Sequence, residues 1–297
     1  MTLPTPLSGV NHPLKGILLI VTATALFSSH DALSKYLSGF YPVVMVVWAR
    51  YLVHTVLMAG IFLPQSGLRV LRSKRPLLQV LRAICLLGSG LFFTYGLLFI
   101  PLAENTAVNF LAPLLVAALS GPLLGETVTR GQWLAVVCGF IGVVIIIHPG
   151  GELFTPAVLL PMAAALCFSC YQILTRKLSA YDSPTTSNFF AGLFNVLVMS
   201  ALVPFFWQTP TLTHGLQMLA LGTLGMTAHL LLTQSFRVAA PALLAPFSYC
   251  QIVFSGILGW LLFDHTPDLA SRVGIAIICA SGLAAAWQQR RGRTQVT

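Results

Sequence analysis

Long apolar runs alternate with short polar connections along almost the entire chain. Each run has about the 20 residues that a helix needs to cross the hydrocarbon core of a membrane. The runs are Gly16–Leu37, Val43–Leu63, Leu77–Phe99, Asn105–Leu124, Gln132–His148, Ala157–Leu178, Ser187–Trp207, Gly215–Phe236, Ala242–Phe263 and Leu269–Trp287. The pattern therefore predicts an all-α, polytopic integral membrane protein with ten transmembrane helices.

The first and sixth runs match each other when the sequence is displaced by 141 residues. This displacement places Phe27, Ser28, Leu33, Leu37 and Ser38 on identical residues at Phe168, Ser169, Leu174, Leu178 and Ser179. It also places Met58 on Met199, and a displacement of 138 aligns Glu126 with Asp264. These matches predict two five-helix repeats, and because five is odd the repeats are expected to be inverted relative to each other.

The repeats divide the chain into five segments. We expect a tail at 1–15, a first repeat at 16–148, an outer linker at 149–156, a second repeat at 157–287 and a basic tail at 288–297.

Composition supports the membrane prediction. Hydrophobic residues make up 57% of the chain and charged residues only 8%, whereas a soluble domain carries about 25% charged residues. A water-facing surface cannot be built from so few charges. This excludes a soluble enzyme, a disordered protein and, despite the net charge of +9, a nucleic-acid binder.

The basic residues predict the orientation of the chain. With ten spans, twelve of the 16 lysines and arginines fall on the side that holds both termini. They are Lys15, Arg69, Arg72, Lys74, Arg75, Arg130, Arg176, Lys177, Arg237, Arg290, Arg291 and Arg293. The other side holds only Lys35 and Arg272. By the positive-inside rule, both termini are expected in the cytoplasm.

Several short motifs make the chain resemble the drug/metabolite transporter superfamily and, within it, the EamA family. They are Phe110-Leu-Ala-Pro113, Leu124-Gly-Glu126, Trp133–Gly142, Leu244-Ala-Pro-Phe247, Gly259–Asp264 and Pro267-Asp268. One departure is Phe263-Asp264, where the family usually has Gly-Glu. The segments Asp31–Leu37 and Thr94–Leu97 are similar to the subgroup of S-adenosylmethionine and riboflavin uptake carriers.

The resemblance implies a secondary transporter that works by alternating access in the inner (plasma) membrane of a bacterium. It implies a small-molecule solute, bound between the repeats near the membrane midplane, and no nucleotide cofactor. A ring-bearing or cationic solute such as S-adenosylmethionine, a flavin or an aromatic amino acid would suit the aromatic residues. The sequence is compatible with a homodimer and leaves the direction of transport open.

Charged residues within the spans are the first candidates for the site, because such residues are costly in a membrane and usually face a cavity or a partner. Asp31 could pair with Lys35 one turn away, or it could act as a substrate counter-ion or proton site. Arg50 could form an interhelical salt bridge, with Asp31 as one partner, or it could bind a carboxylate or phosphate of the solute. Arg82, near a helix end, is predicted to extend its side chain to the cytoplasmic surface.

Prolines point to further candidates. Pro113 and Pro246 fall inside the fourth and ninth runs, and interrupted helices in both halves indicate a transporter site. Polar and aromatic residues nearby are therefore substrate-binding candidates together with Asp31 and Arg50: Asn105, Asn109, Tyr171, Gln172, Tyr249 and Gln251. The candidates for proton coupling are His30, Asp31 and Glu104. An interhelical hydrogen bond is an equally good interpretation of any one of these polar residues.

The alternative to a carrier is a non-transporting membrane protein, either a membrane-embedded enzyme or a lipid-interacting scaffold. An enzyme would need a constellation of acidic or nucleophilic residues, and the acids are scattered along the sequence. The sequence contains neither a G-x-x-x-x-G-K-[ST] nor an H-E-x-x-H motif, and no second Cys or His pair joins Cys167 and Cys170 to form a zinc site. We therefore expect neither enzymatic activity, nor a metal, nor a cofactor.

Overall fold

The computed structural model describes residues 12–67, 73–124, 128–148, 153–239 and 241–294. These ranges contain twelve α-helices and no β-strand. The helices are α1 (Pro13–Ser38), α2 (Val43–Ser66), α3 (Pro76–Gly96), α4 (Leu102–Asn109), α5 (Ala112–Leu124), α6 (Arg130–Ile147), α7 (Leu159–Leu178), α8 (Pro184–Leu202), α9 (Leu212–Val238), α10 (Pro241–Ser248), α11 (Cys250–Phe263) and α12 (Leu269–Thr294). Glu126, Arg69 and Arg72 lie outside the described residues.

Ten helical segments are long and apolar enough to cross a membrane. They coincide with the ten predicted runs to within a few residues, which confirms the all-α, ten-span prediction. The α4–α5 pair forms the fourth span and the α10–α11 pair forms the ninth. Local signals fix several of the ends: Pro13 and Pro76 occupy first-turn positions, and Thr129 forms a capping box with Gln132 at the start of α6.

Both proline-containing spans are broken, as predicted. The fourth span is interrupted at Phe110 and Leu111, where the Leu111 amide donates to the Val108 carbonyl three residues back. The ninth is interrupted at Tyr249, whose amide donates to the Pro246 carbonyl. Such tightened turns leave carbonyl groups without helical partners. The breaks therefore bring backbone polarity into the interior of the bundle.

Helix packing follows a two-fold pattern. Helix α1 packs against α9, and α7, its counterpart in the second half, packs against α3. The α2–α8 and α6–α12 pairs each join matching spans of the two halves. In this exchange of partners, the first span of each half packs against the third span of the other half. Two equivalent five-helix halves would produce this arrangement. Their inverted orientation stays a prediction.

The α6–α12 contact is close enough for the two backbones to touch. A Cβ atom built on Gly142 would lie 2.8 Å from the Gly274 carbonyl oxygen, and one built on Gly274 would lie 2.5 Å from the Gly142 carbonyl oxygen. Only residues without a side chain fit at this crossing, as is common between membrane helices. We call this contact the glycine seam.

Arg82 does not extend to the surface, and that prediction was wrong. Its side chain is almost completely buried, with 1% of its surface exposed. Its guanidinium donates to the Thr175 hydroxyl at 2.6 Å, the Ser187 backbone carbonyl at 2.7 Å and the Tyr171 hydroxyl at 2.8 Å. It also donates to the side-chain amide oxygen of Asn188 at 3.1 Å. These acceptors lie on α7 and α8, so Arg82 joins three helices in the interior.

Asp182 fixes the connection between α7 and α8. Its carboxylate accepts hydrogen bonds from the Ser73 hydroxyl, the Lys74 amide at 2.9 Å and the Gln79 amide group at 2.9 Å. Burial alone would raise the pKa of this carboxyl. The hydrogen bonds from Ser73, Lys74 and Gln79, with the charge of Lys74, outweigh burial and lower the pKa below its ordinary value.

We expect Asp182→Asn to lower the free energy of unfolding by about 1–3 kcal/mol at neutral pH, because three donors lose an ionised acceptor. The pKa is lower in the folded state, so the stabilisation is complete above the ordinary carboxyl pKa of about 4 and is lost as the pH falls below it. Thermal unfolding of detergent-solubilised protein measures the difference. The exposed Asp264 provides a control because its carboxylate accepts no hydrogen bond from the described residues. Asp264→Asn should therefore change the unfolding temperature little. An equal loss in both variants contradicts the assignment.

Candidate functional site

A cavity of about 1430 Å³ lies inside the bundle. Its wall is formed by side chains from α1, α2, α3, α7, α8 and α9 and from both broken spans. Seven of the residues predicted from the sequence line it: His30, Asp31, Arg50, Asn109, Tyr171, Gln172 and Gln251. The structure thus brings together residues that are up to 221 positions apart, from His30 to Gln251.

The cavity continues to one end of the molecule. We call this the basic end, because the helix termini next to Lys74, Arg130 and Arg176 lie there. Thr129, Gln132 and Arg176 belong to the cavity wall. Toward the opposite end of the bundle, the cavity wall stops at Asp31, Arg50 and Phe93.

The opposite end is held together by polar contacts between helices. Lys35 donates to the carbonyl oxygens of Leu97 at 2.6 Å and Ile100 at 2.9 Å, and its ammonium lies 5.6 Å from the centre of the Phe263 ring. His265 Nε2 lies 3.1 Å from a carboxylate oxygen of Glu104. These contacts tie α1, the α3–α4 turn and the α11–α12 connection together beyond the cavity.

Asp31 faces the cavity and is not paired with Lys35. His30 Nδ1 lies 3.0 Å from Asp31 Oδ1, and Gln251 Nε2 donates to Oδ2 at 3.1 Å. Because a carboxylate only accepts hydrogen bonds, the first contact places the proton of the His30 ring on Nδ1. His30 Nε2 is then a buried acceptor, and no described residue donates to it.

Arg50 is half-buried and lines the same cavity. Its guanidinium carbon lies 4.6 Å from the centre of the Tyr51 ring, and the group passes directly over Gly90 of α3. No hydrogen bond or ion pair joins it to another residue in the described ranges, so the salt bridge to Asp31 considered from the sequence is not formed there.

Two further histidines, His54 and His229, belong to the cavity wall. The His54 and His229 rings are 6.1 Å apart, and the Phe27 ring lies 4.9 Å from that of His229. With His30 they give the wall three imidazoles. Their position inside apolar runs was a signal for both, but the sequence does not show that α2 and α9 are neighbours.

Aromatic rings cover much of the remaining wall. Phe168 and Tyr171 are stacked with their centres 5.6 Å apart and 14° between their planes. Phe27, Phe93 and Phe110 also line the cavity. Stacking and edge contacts with such rings favour a planar solute.

Three predicted residues lie outside the cavity wall. Asn105 is fully buried and donates to the Phe93 carbonyl at 3.2 Å. Tyr249 packs in the core at the break of the ninth span, 5.1 Å from the Phe110 ring. Glu104 is occupied at the opposite end by His265.

Comparison with known proteins identifies the family. The model of the EamA-like transporter family matches the chain twice, at residues 14–148 and 155–285. The chain belongs to the EamA-like transporter family. This confirms the resemblance drawn from the sequence motifs.

The EamA match is supported by similar proteins of nearly equal length. The S-adenosylmethionine uptake transporter of Rickettsia bellii is 26% identical over 90% of this chain and 92% of its own. The riboflavin transporter of Vibrio cholerae is 29% identical over 96% and 97%, and the pseudopaline exporter of Pseudomonas aeruginosa is 25% identical over 91% and 95%. A solved crystal structure with 23% identity covers 94% of this chain and 98% of its own with a TM-score of 0.64, which supports the fold.

Together, the EamA match, these relatives and the ten spans show an integral membrane transporter of small metabolites rather than an enzyme. The relatives include proteins named for uptake and proteins named for export. Direction is therefore not a shared property of the proteins similar to this chain.

Proposed function

We propose that this EamA protein is a secondary transporter that binds its solute in the central cavity and moves it by alternating access. The observation that carries the proposal is the cavity itself, which has charged, polar and aromatic residues in its wall and is bordered by both broken spans. Its wall reaches the basic end, while contacts of Lys35 and Glu104 occupy the opposite end. We assign this arrangement to a state accessible from the cytoplasm.

The exchange of partners between α1–α9 and α3–α7 supports two inverted repeats. In such carriers one set of helices rocks against the other around a site near the midplane. We place the repeats at 16–148 and 157–287, with both termini in the cytoplasm, because most basic residues border that side. The proposed location is the inner membrane of a bacterium.

The solute is proposed to be a small ring-bearing metabolite. Two observations support this: the aromatic wall around Phe168 and Tyr171, and relatives named for S-adenosylmethionine and riboflavin. We propose that Asp31, Arg50, Asn109, Tyr171, Gln172 and Gln251 contact the solute. Asn105 and Tyr249 are proposed to support the wall from behind, since each packs beside a cavity residue, Phe93 and Phe110 respectively.

Proton coupling is proposed to involve His30 and Asp31. The free His30 Nε2 is a proton acceptor held in one tautomer by Asp31. Arg50 on α2, His54 on α2 and His229 on α9 line the same cavity and are the charged or titratable groups that would influence it. Glu104 is bound to His265 at the opposite end, which favours a role in closing that end.

Counterflow in proteoliposomes tests the proposed function. Vesicles that contain the purified protein, loaded with an unlabelled compound, should accumulate the labelled compound transiently and saturably. The panel includes S-adenosylmethionine, riboflavin and the aromatic amino acids, and a pH-sensitive dye inside the vesicles reports coupled protons. Protein-free vesicles provide the background. The absence of saturable exchange for every compound contradicts the carrier, and net uptake into empty vesicles without any proton movement contradicts coupling at His30.

A further inference from the structure

Arg50 is a cation without a matching anion in the described part of the protein. An unpaired charge inside a membrane protein is costly and marks a functional contact. Arg82, on the neighbouring helix α3, shows the structural alternative, because four acceptors from α7 and α8 surround its guanidinium. Arg50 has only the face of the Tyr51 ring. Its N–H donors remain available to a ligand.

Nearby carboxylates do not neutralise Arg50. Asp31, on the same cavity wall, uses one oxygen toward His30 and the other toward Gln251. Glu104 contacts His265, and Asp182 lies in the α7–α8 connection with Ser73 and Gln79. No carboxylate in the described residues forms an ion pair with Arg50, which leaves its counter-charge to a ligand.

The guanidinium is held in position before any ligand binds. The Tyr51 ring covers one face, and Gly90 on α3 leaves the space that the group occupies. A Cβ atom on Gly90 would collide with Arg50 Nη2 and would lie 3.2 Å from the Tyr51 hydroxyl. A planar fork of donors fixed in this way matches the two oxygens of a carboxylate.

Aromatic residues continue the wall next to this position. Phe93 follows Gly90 by one helical turn on α3, and both line the cavity. Further rings, including Phe168 and Tyr171, belong to the same cavity. A solute that carries an anionic group on a ring-bearing body would contact both features at once.

We propose that Arg50 binds a carboxylate of the transported solute, so that the substrates of this carrier are small ring-bearing carboxylates, including amino acids. The inference rests on the proposed function and makes its substrate class narrower. One guanidinium neutralises one negative charge, which suits a carboxylate. Neutral flavins and ring-bearing amines that lack a carboxylate are excluded as good substrates.

Matched compounds test the inference on the full-length protein in counterflow and thermal-shift experiments. The pairs are L-tryptophan with tryptamine, and S-adenosylmethionine with its decarboxylated form, and the members of each pair differ only in the carboxylate. We expect stabilisation and exchange with the carboxylate-bearing member of at least one pair and not with its partner. Arg50→Gln should weaken that binding about ten- to hundredfold, the usual effect of losing a charge-assisted hydrogen bond.

Two further variants separate binding from folding. Gly90→Ala keeps the charge but displaces the guanidinium, and it should weaken the same compound. Arg272→Gln removes a cation from the start of α12, outside the cavity wall, and should leave binding unchanged. Equal binding of both members of every pair, or unchanged binding by Arg50→Gln, overturns the inference. A carrier that exchanges only riboflavin or tryptamine overturns it while the proposed function stands, and a carrier that exchanges nothing overturns both.

Discussion

Arg82→Leu should leave little folded protein in the membrane. The substitution removes the charged donor from four acceptors, among them the Tyr171 hydroxyl and the Ser187 carbonyl. It also separates α3 from α7 and α8, since Arg82 contacts both. A hydrogen bond to a charged group contributes about 1.5–3 kcal/mol, so losing several of them removes a large part of the total stability of a typical protein.

The yield and unfolding temperature of detergent-purified protein measure this effect. Arg82→Lys should recover part of the stability, because an ammonium can donate to three of the four acceptors. Arg50→Gln provides the comparison: the same kind of charge is removed from the neighbouring helix α2, but Arg50 holds no described acceptor, so its yield should remain normal. A stable Arg82→Leu protein contradicts the structural role.

Asp31→Asn should have the opposite effect, with normal yield and a loss of transport. The asparagine side chain can still accept from His30, and the Gln251 amide can turn to accept from it, so the local hydrogen bonds are kept. What disappears is the negative charge next to His30 Nδ1, the ring nitrogen across from Nε2, which has no described partner. We expect the initial rate of counterflow to fall about ten- to hundredfold, the range for losing an ionic hydrogen bond.

Asp264→Asn makes the same chemical change at an exposed position outside the cavity wall and should transport normally. The unfolding temperature of Asp31→Asn should stay within a few degrees of the unsubstituted protein. Transport at the normal rate would show that the charge of Asp31 is not needed in the cycle. A large loss of stability would instead indicate a structural pair.

The sequence was most informative for features that depend on a single helix and not on its neighbours. About 20 apolar residues predict a span regardless of its neighbours, so all ten spans were predicted. Pro113 and Pro246 remove backbone donors, and the breaks at Leu111 and Tyr249 lie two and three residues from them. Proline chemistry accounts for the break before Pro113, which lies in the first turn of α5, but not for the break after Pro246, because a proline disturbs the helix on its N-terminal side.

Predictions that depend on neighbouring helices were less complete. Arg82 is near a helix end, which predicts a side chain in water, but Tyr171 and Asn188 supply acceptors that only the packed structure brings to it. Asn105 and Asn109 are one turn apart, yet only Asn109, next to the break, lines the cavity. Both lie in α4 before the break, and Asn105 is covered by α3, where it donates to the Phe93 carbonyl; periodicity cannot predict such a neighbour.

The glycine seam lies apart from the cavity, so helix assembly and solute preference depend on different residues here. Helices α6 and α12 touch backbone to backbone, but among their described side chains only Gln132 and Ala286 reach the cavity wall. The residues that hold α6 against α12 are therefore largely different from the residues proposed to contact the solute. A chimera that takes both α6 and α12 from a relative with a different substrate should keep the preference of the recipient, whereas exchanging α6 alone should place mismatched side chains at the crossing. Substrate specificity can therefore change while the α6–α12 contact between the halves stays the same.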